Sequence, residues 1–429
     1  MTTSEFILQH RLSNPRDLAL QARRYPDVDM PYALNQIQGW QTARQKLPSW
    51  ASCDGVVYPP HLNMEQCSSE PTARYKQEVA LRWLNKLGVG HGGATTSMAD
   101  LTGGFGVDFS FTSRCFASAT YVERNSSLCD VVSGNLPRLG ISNANVVCAE
   151  AEDYLATMPQ QTMLFLDPAR RDEHGAKTVL IADCTPDVCR LLLQLMSKAR
   201  FVMLKLSPML DWHKAIADLK GTVDEVHIVS VGGECKELLL VLAGKVSVSS
   251  VDSGSLENGV RVYCVDIMPK AEADGEYKRS EFCYTIGGAA DNPPTLNPQP
   301  STLNSQLSTL NSQFLFEPNA SIMKAGCFAE LSQAYGVEAI GPNSHLFVSS
   351  GRVEQFPGRK FAIEAVCTLN KRQLKQTLGT LKQANIAVRN FPMSVAELRK
   401  RLKLRDGGDT YIFATTTMEG EHVLIICRK

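Results

Sequence analysis

The feature that most constrains this chain is an alternation running from SMADL at residue 97 to FVMLKL at residue 206. Short apolar stretches, SMADL, ATYVE, NVVCAE, MLFLD and FVMLKL, are separated by segments with the apolar spacing of helices, among them GVDFSFTSRC, NSSLCDVVSGNLPRLG, EDYLATM and PDVCRLLLQLMSKA. Strands that alternate with helices form right-handed βαβ units, which place helices on both faces of a mostly parallel sheet. The fold class expected is therefore α/β, with a doubly wound Rossmann-like sheet over residues 95–245.

The flanks divide the rest of the chain. Residues 1–94 read as a helical N-terminal domain, because PYALNQIQGWQTARQKL and TARYKQEVALRWLNKLG repeat apolar residues at three- and four-residue spacing. After the sheet, VHIVSVGGECKELLLVLAG and VRVYCVDI read as added antiparallel strands, with a β extension over 246–294. Residues 295–313 repeat TLNPQPS, TLNSQLS and TLNSQ with a period of seven. They lack the apolar seams and charged flanks of a coiled coil, which makes them a low-complexity linker. Residues 314–429 read as an α+β domain: strand KFAIEAV, helix NKRQLKQTLGTLKQA, strand IAVRNF, helix SVAELRKRLK and a hairpin TYIFATTT/VLIIC.

Charge and cysteine usage narrow the function classes. Lys plus Arg equals Asp plus Glu over the whole chain, yet between Arg352 and Asp406 thirteen basic residues face four acidic ones. A local one-signed excess in a neutral protein points to a polyanionic partner. The thirteen cysteines include no C-x-x-C pair and no Cys/His cluster with zinc spacing, so reduced thiols, a cytoplasmic location and no metal are expected. No apolar run approaches the length of a membrane span, and the N-terminus has no cationic start before an apolar core.

The first strand ends on Asp100 and opens at once into Gly103, Gly104 and Gly106. A nicotinamide dinucleotide fingerprint needs a third glycine where Phe109 stands, and no Gly-Lys-Ser/Thr follows as a P-loop requires. D-x-x-x-G-x-G at the end of a first strand fits S-adenosylmethionine instead. That ligand carries no phosphate, so the glycines need only let backbone approach its amino-acid moiety and ribose. Glu123 closes the second strand, where a carboxylate can accept from both ribose hydroxyls. Glu150, with Glu152 and Asp153 as alternatives, follows the third strand and can meet the adenine amino group.

DLTGGFG, YVERN, AEAEDYL and LFLDPARR resemble the ordered motifs of class I S-adenosylmethionine-dependent methyltransferases. The basic C-terminal segment is similar to the THUMP-like domain of a bacterial methyltransferase family with this layout, and residues 246–294 resemble its ferredoxin-like domain. The resemblance implies a cofactor set of Asp100, Thr102, Gly103, Gly104, Gly106, Asp108, Glu123, Arg124, Glu150 and Asp167. It also implies catalytic Asp167, Pro168 and Arg170, and RNA as partner.

Methyl transfer from a sulfonium mostly requires alignment of nucleophile and methyl. Asp167 can accept from an amino group or draw a proton from a hydroxyl, and Pro168 fixes the turn that aims it. Amine methylases of this type carry an aromatic after the Pro-Pro, where this chain has Ala169 and Arg170, so stacking on a base falls to Arg170 or to another residue. Carbon-5 pyrimidine methylation needs a cysteine where KLSPML offers Ser207, and serine is a poor nucleophile for that addition. Lys205 and Ser207 are candidate pocket residues. The expectation is N- or O-methylation of RNA, with a non-catalytic RNA-binding protein and a small-molecule or protein methyltransferase as rivals.

Overall fold

The computed structural model describes residues 1–90, 95–170, 181–243, 258–270, 276–288 and 314–429. The linker expected at 295–313 and Arg171 of the DPARR turn lie outside the described residues. The chain groups into two compact units, Met1–His227 with Lys236–Gly254, and Ile228–Cys235 with Ser255–Lys429.

The first unit opens with helices α1 (Thr3–His10), α2 (Pro15–Leu20), α3 (Met30–Lys46), α4 (Pro48–Ala51), α5 (His61–Gln66) and α6 (Glu70–Lys86). Local chemistry sets their ends: Thr2 and Glu5 form a capping box on α1, and Asp29 caps α3 by accepting from Tyr32 N–H at 3.1 Å. Residues 1–90 group with the sheet in one unit, yet α1–α3 keep a buried cluster of their own, made of Phe6, Leu18, Val28, Met30, Ala33 and Ile37. Trp50, Tyr58 and Ala73 pack with Phe105, Val107 and Phe111 from beyond the first strand.

The sheet is built from β1 (Ser97–Asp100), α7 (Val107–Thr112), β2 (Ser118–Glu123), α8 (Ser126–Arg138), β3 (Ala144–Cys148), α9 (Ala151–Thr157) and β4 (Gln161–Leu166). The chain then forms a separate two-stranded pair, β5 (Ala169–Arg170) and β6 (Cys184–Thr185), before α10 (Val188–Lys198), β7 (Ala199–Leu206), α11 (Trp212–Asp218), β8 (Val223–Val231) and β9 (Glu234–Leu242). Parallel strands lie in the order β3-β2-β1-β4-β7, after which β9 runs antiparallel to β7. Both faces are covered, so β4 and β7 read as near-continuous apolar runs. The chain moves outward from β1 to β3 and then crosses back to β4. The carboxyl ends of β1 and β4 therefore flank the topological switch point, where open α/β sheets bind ligands.

Polar groups fasten α6 to β8. Glu225 Oε2 accepts from Arg82 at 3.0 Å and from Trp83 Nε1 at 2.9 Å, and lies 3.3 Å from His227 Nε2. Nδ1 of His227 is 2.8 Å from the Tyr75 hydroxyl. Burial pushes the Glu225 carboxyl up, but His227, Arg82 and Trp83 together outweigh it and bring it down to about 2.

The second unit holds β10 (Asn258–Ile267), paired antiparallel with β11 (Arg279–Gly288). It continues with β12 (Phe314–Pro318), α12 (Ala320–Ala325), α13 (Phe328–Tyr335), β13 (Glu338–Ala339), β14 (Phe347–Ser349), β15 (Gly358–Thr368) and α14 (Lys371–Leu378). The last elements are β16 (Asn385–Val388), α15 (Val395–Leu402), β17 (Thr410–Thr416) and β18 (His422–Arg428). Seven strands form one sheet in the order β13-β14-β12-β15-β18-β17-β16. Leu378 and Leu398 of α14 and α15 pack with Ile412, Leu424 and Ile426, whereas Phe361, Phe413 and Ile425 belong to a separate cluster with Ile340 and Leu346. Both basic helices thus share one face of the sheet. The helix expected through NKRQLKQTLGTLKQA stops at Leu378, with Gly379 as its C-cap, and Gln383 bridges to Arg405 as the chain turns into β16.

A carboxyl lowered from 4.5 to about 2 stabilises the fold fully above pH 4.5, and that contribution is lost as pH falls toward 2. It amounts to about 3 kcal/mol. Urea unfolding of the wild type at pH 7, 5 and 3 should show this loss, and Glu225→Gln should start less stable and decline less steeply; parallel declines would remove Glu225 from this role.

Candidate active site at the switch point

Asp100 ends β1, and the next six residues decide the shape of the site. Asp100 Oδ1 accepts from Thr102 N–H at 3.0 Å. Gly104 and Gly106 take φ of +54° and +78°, which a residue with a Cβ adopts only under strain. Nothing but the Thr102 carbonyl at 3.9 Å would meet a Cβ on Gly104, so the turn leaves an open cradle there. Gly103 has a different reason to be glycine: a Cβ would stand 2.1 Å from the Tyr121 ring. Tyr121 in turn donates its hydroxyl proton to the Gly104 carbonyl and packs edge-on against Phe109.

Glu123 at the end of β2 holds the turn as well as facing the cleft. Its Oε2 accepts from Gly104 N–H at 2.9 Å and its Oε1 from Asn125 N–H at 2.9 Å. Each oxygen retains a further lone pair for a ligand hydroxyl. Burial pushes the Asp100 carboxyl well above the usual carboxylate range; the Thr102 N–H opposes this, and the charges of Asp108, Asp167 and Glu123 add to it.

A cleft of about 700 Å³ opens here, entirely within the first unit. Asp100, Thr102, Gly103, Gly104, Gly106, Asp108, Glu123, Arg124, Glu150 and Asp167 all line it, as does Glu152. The structure thus brings together residues from four separate strand ends. Glu150 and Arg124 are exposed, and Glu152 pairs with Arg190 at 2.9 Å. Asp108 is engaged inward: its Oδ2 accepts from Ser68 at 2.7 Å, and its Oδ1 lies 3.2 Å from Lys76 Nζ. Pro168 is buried at the strand exit, and the backbone of Arg170 pairs with Cys184.

Asp167 sits in a defined electrostatic setting. Its N–H donates to Thr102 Oγ1 at 2.6 Å and its Oδ2 is ion-paired with Lys205 Nζ, while its Oδ1 has no partner among the described residues. The Lys205 side chain is only 12% exposed, against 37% for Asp167, so this strand-end lysine is no solvated one. Burial lowers the Lys205 ammonium pKa, but Asp167, Asp108 and Glu237 outweigh that and hold it charged.

Sequence reasoning missed a second set of lining residues. Asn63, Gln66, Cys67 and Ser68, from α5 and the turn after it, line the same cleft, as does Lys236. Polar residues on a short helix carry no motif, and only the packing of that helix brings them to the sheet.

With this geometry in place, comparison with known proteins is informative. A THUMP domain-like family model matches residues 358–429, and a ferredoxin-like domain model matches 314–357. The ferredoxin-like match thus falls at 314–357, whereas the described residues of 246–294 form the β10–β11 pair; both matched segments share the seven-stranded sheet through β12 and β15. A solved structure of a candidate methyltransferase from Porphyromonas gingivalis W83 is 27% identical, covering 100% of this chain and 97% of that one with a TM-score of 0.77. An rRNA methylase from Streptococcus thermophilus is 12% identical, covering 41% of this chain and 98% of that one with a TM-score of 0.30. Methyltransferase yhhF from Escherichia coli, also a candidate by its description, is 18% identical, covering 40% and 87% with a TM-score of 0.28. No curated protein matches. Strand order, cleft and whole-chain likeness define a methyltransferase-type α/β fold. It is joined in sequence to a ferredoxin-like and a THUMP-like segment.

Gly103→Ala should destabilise the protein by about 1–3 kcal/mol through overpacking against Tyr121. Thermal unfolding of Gly103→Ala in wild-type and Tyr121→Ala backgrounds should show a smaller penalty in the second; equal penalties would mean that the ring is not the obstacle.

Proposed function

We propose that the protein is an S-adenosylmethionine-dependent methyltransferase acting on RNA by N- or O-methylation. The observation that carries this reading is the frame around Thr102, which ties the glycine turn to the carboxylate most suited to handle an acceptor. The residues fit the cofactor: an open cradle at Gly104, an acid at the end of β2 for ribose hydroxyls, and no phosphate-binding lysine in the turn. When bound, the cofactor supplies an electrophilic methyl on a sulfonium.

Gly104 and Gly106 admit the ligand's backbone-facing parts, Glu123 accepts from ribose hydroxyls, and Glu150 and Arg124 stand by the adenine end. Asp167 Oδ1 accepts the hydrogen of the attacking amino or hydroxyl group and orients its lone pair. Lys205 keeps that carboxylate fixed by holding the other oxygen. Thr102 makes cradle and carboxylate one rigid piece, which is how alignment lowers the barrier.

The THUMP-like match and the charge of the C-terminal unit support RNA as the substrate. Arg359 and Arg389 are bound to Glu317 at 2.7 and 3.0 Å, and Arg399 to Asp406 at 2.6 Å, so these three are structural. Lys371, Arg372, Lys375, Lys400, Arg401 and Lys403 on the two helices and their ends are exposed.

Calorimetry should give micromolar affinity for S-adenosylmethionine, roughly −8 kcal/mol. Glu123→Ala should weaken it by about 1–3 kcal/mol. Asp167→Ala should leave it nearly unchanged while methyl transfer falls at least a hundredfold. Saturation by a nicotinamide dinucleotide alone would overturn the cofactor reading, and undiminished transfer by Asp167→Ala would overturn the role of the DPARR turn.

RNA binding by the full chain should weaken steeply with salt. Reversing Lys371, Arg372, Lys400 and Lys403 to glutamate should lower affinity and shallow the log-log slope by about 0.7 for each phosphate of a single strand that is no longer neutralised. Filter binding at several salt concentrations measures both; unchanged affinity and slope with cofactor binding intact would redirect the search to a small-molecule or protein substrate.

A further inference from the structure

The cleft is two-sided, and the reading above uses only one side. α5 shares a core cluster with Phe105 and Val107 at the glycine turn through Met64, and its Asn63 and Gln66 line the same cleft as Asp167, Lys205 and Ser207. Residues three apart on a helix point the same way, so the two amides form a pair. Neither amide group has a hydrogen-bond partner among the described residues, whereas Asn35, Gln36 and Gln41 on α3 all bond to backbone. The pair is held in place from below: the Lys46 ammonium donates to the Met64 and Glu65 carbonyls at 2.9 and 2.6 Å, and Met64 is buried. Large apolar side chains also stand exposed beside the lining residues, Leu62 at 66% next to Asn63 and Met209 at 60% just past Ser207.

We infer that α5 is the acceptor-reading wall of the cleft, with Asn63 and Gln66 selecting a nucleobase that carries an exocyclic amino group. This deepens the methyltransferase reading and rests on it. A carboxamide presents a donor and an acceptor side by side, which matches the donor–acceptor edge of a base, and two of them cover such an edge. Asp167 Oδ1 then accepts from the amino group itself, for which uracil has no counterpart. The aromatic that amine methylases carry after the strand exit is replaced here by Ala169 and Arg170, so the edge contacts of the amides carry more of the recognition. Asn63 and Gln66 stand outside the set of residues that the cofactor reading uses, so cofactor affinity separates the two roles.

The test uses the full chain with Asn63→Asp, Gln66→Glu and the double Asn63→Ala/Gln66→Ala. Cofactor affinity by calorimetry is the check on folding and should stay within twofold. Transfer of tritiated methyl from S-adenosylmethionine to total RNA of a deletion strain should fall about tenfold for each single change and further for the double, with the loss in KM for RNA. The product-loaded protein should bind AMP, CMP or GMP in preference to UMP, and lose that preference in the double variant. Variants that label RNA as well as wild type would overturn the acceptor wall and leave the methyltransferase reading standing. If wild type labels no RNA but the variants still abolish nucleotide binding, the wall stands and the RNA reading falls. If wild type neither labels RNA nor binds any of the four nucleotides, both fall.

Discussion

A single buried ammonium holds the first unit in register. Lys76 on α6 is 0% exposed, and its Nζ lies 2.6 Å from both Glu237 oxygens on β9 and 3.2 Å from Asp108 on α7. A charge removed from water in this way persists only with partners, and removing one partner costs about 3–5 kcal/mol. The ion group therefore fixes three elements far apart in sequence: an N-terminal helix, the helix that follows the glycine turn, and the antiparallel strand beside β7. Ser68 joins the same group through Asp108, which draws the segment after α5 against the sheet. Asp108 serves the site by placing that wall.

Around this anchor the cleft is organised by short chains of hydrogen bonds. Asp100 receives Thr102 N–H, and Thr102 Oγ1 receives Asp167 N–H; Asp167 holds Lys205, and Glu123 holds the turn through Gly104. The ends of β1, β2, β4 and β7 are therefore one connected frame. Positions within such a frame move together, so the distance between the glycine turn and the Asp167 carboxylate is set by backbone. Little of it is left to side-chain flexibility.

The C-terminal unit shows how structure sorts a charge excess. Glu317 on β12 neutralises Arg359 and Arg389, and thereby joins the ferredoxin-like and THUMP-like segments of one sheet. Arg399 and Arg428 are also matched by carboxylates, at Asp406 and Glu364. The exposed positive charge is narrower than composition implies and concentrates on α14, α15 and their ends, which pack through Leu378 and Leu398 on the same face of the sheet.

The βαβ order, the glycine turn and the acids at successive strand ends were all legible in the sequence, because each follows from local periodicity or from a turn whose backbone only glycine relaxes. From these the parallel sheet could be named, and with the methyltransferase resemblance ten lining residues. The tertiary structure decided what depends on packing between distant segments: that α5 forms the second wall, that Gly103 yields to the Tyr121 ring, that Asp108 faces a buried lysine, and that Lys205 is a fixed partner of Asp167. Spacing along a chain encodes which residues share one element. It carries no record of which charge a buried ammonium will find, because that choice is made only when desolvation forces partners together across the core.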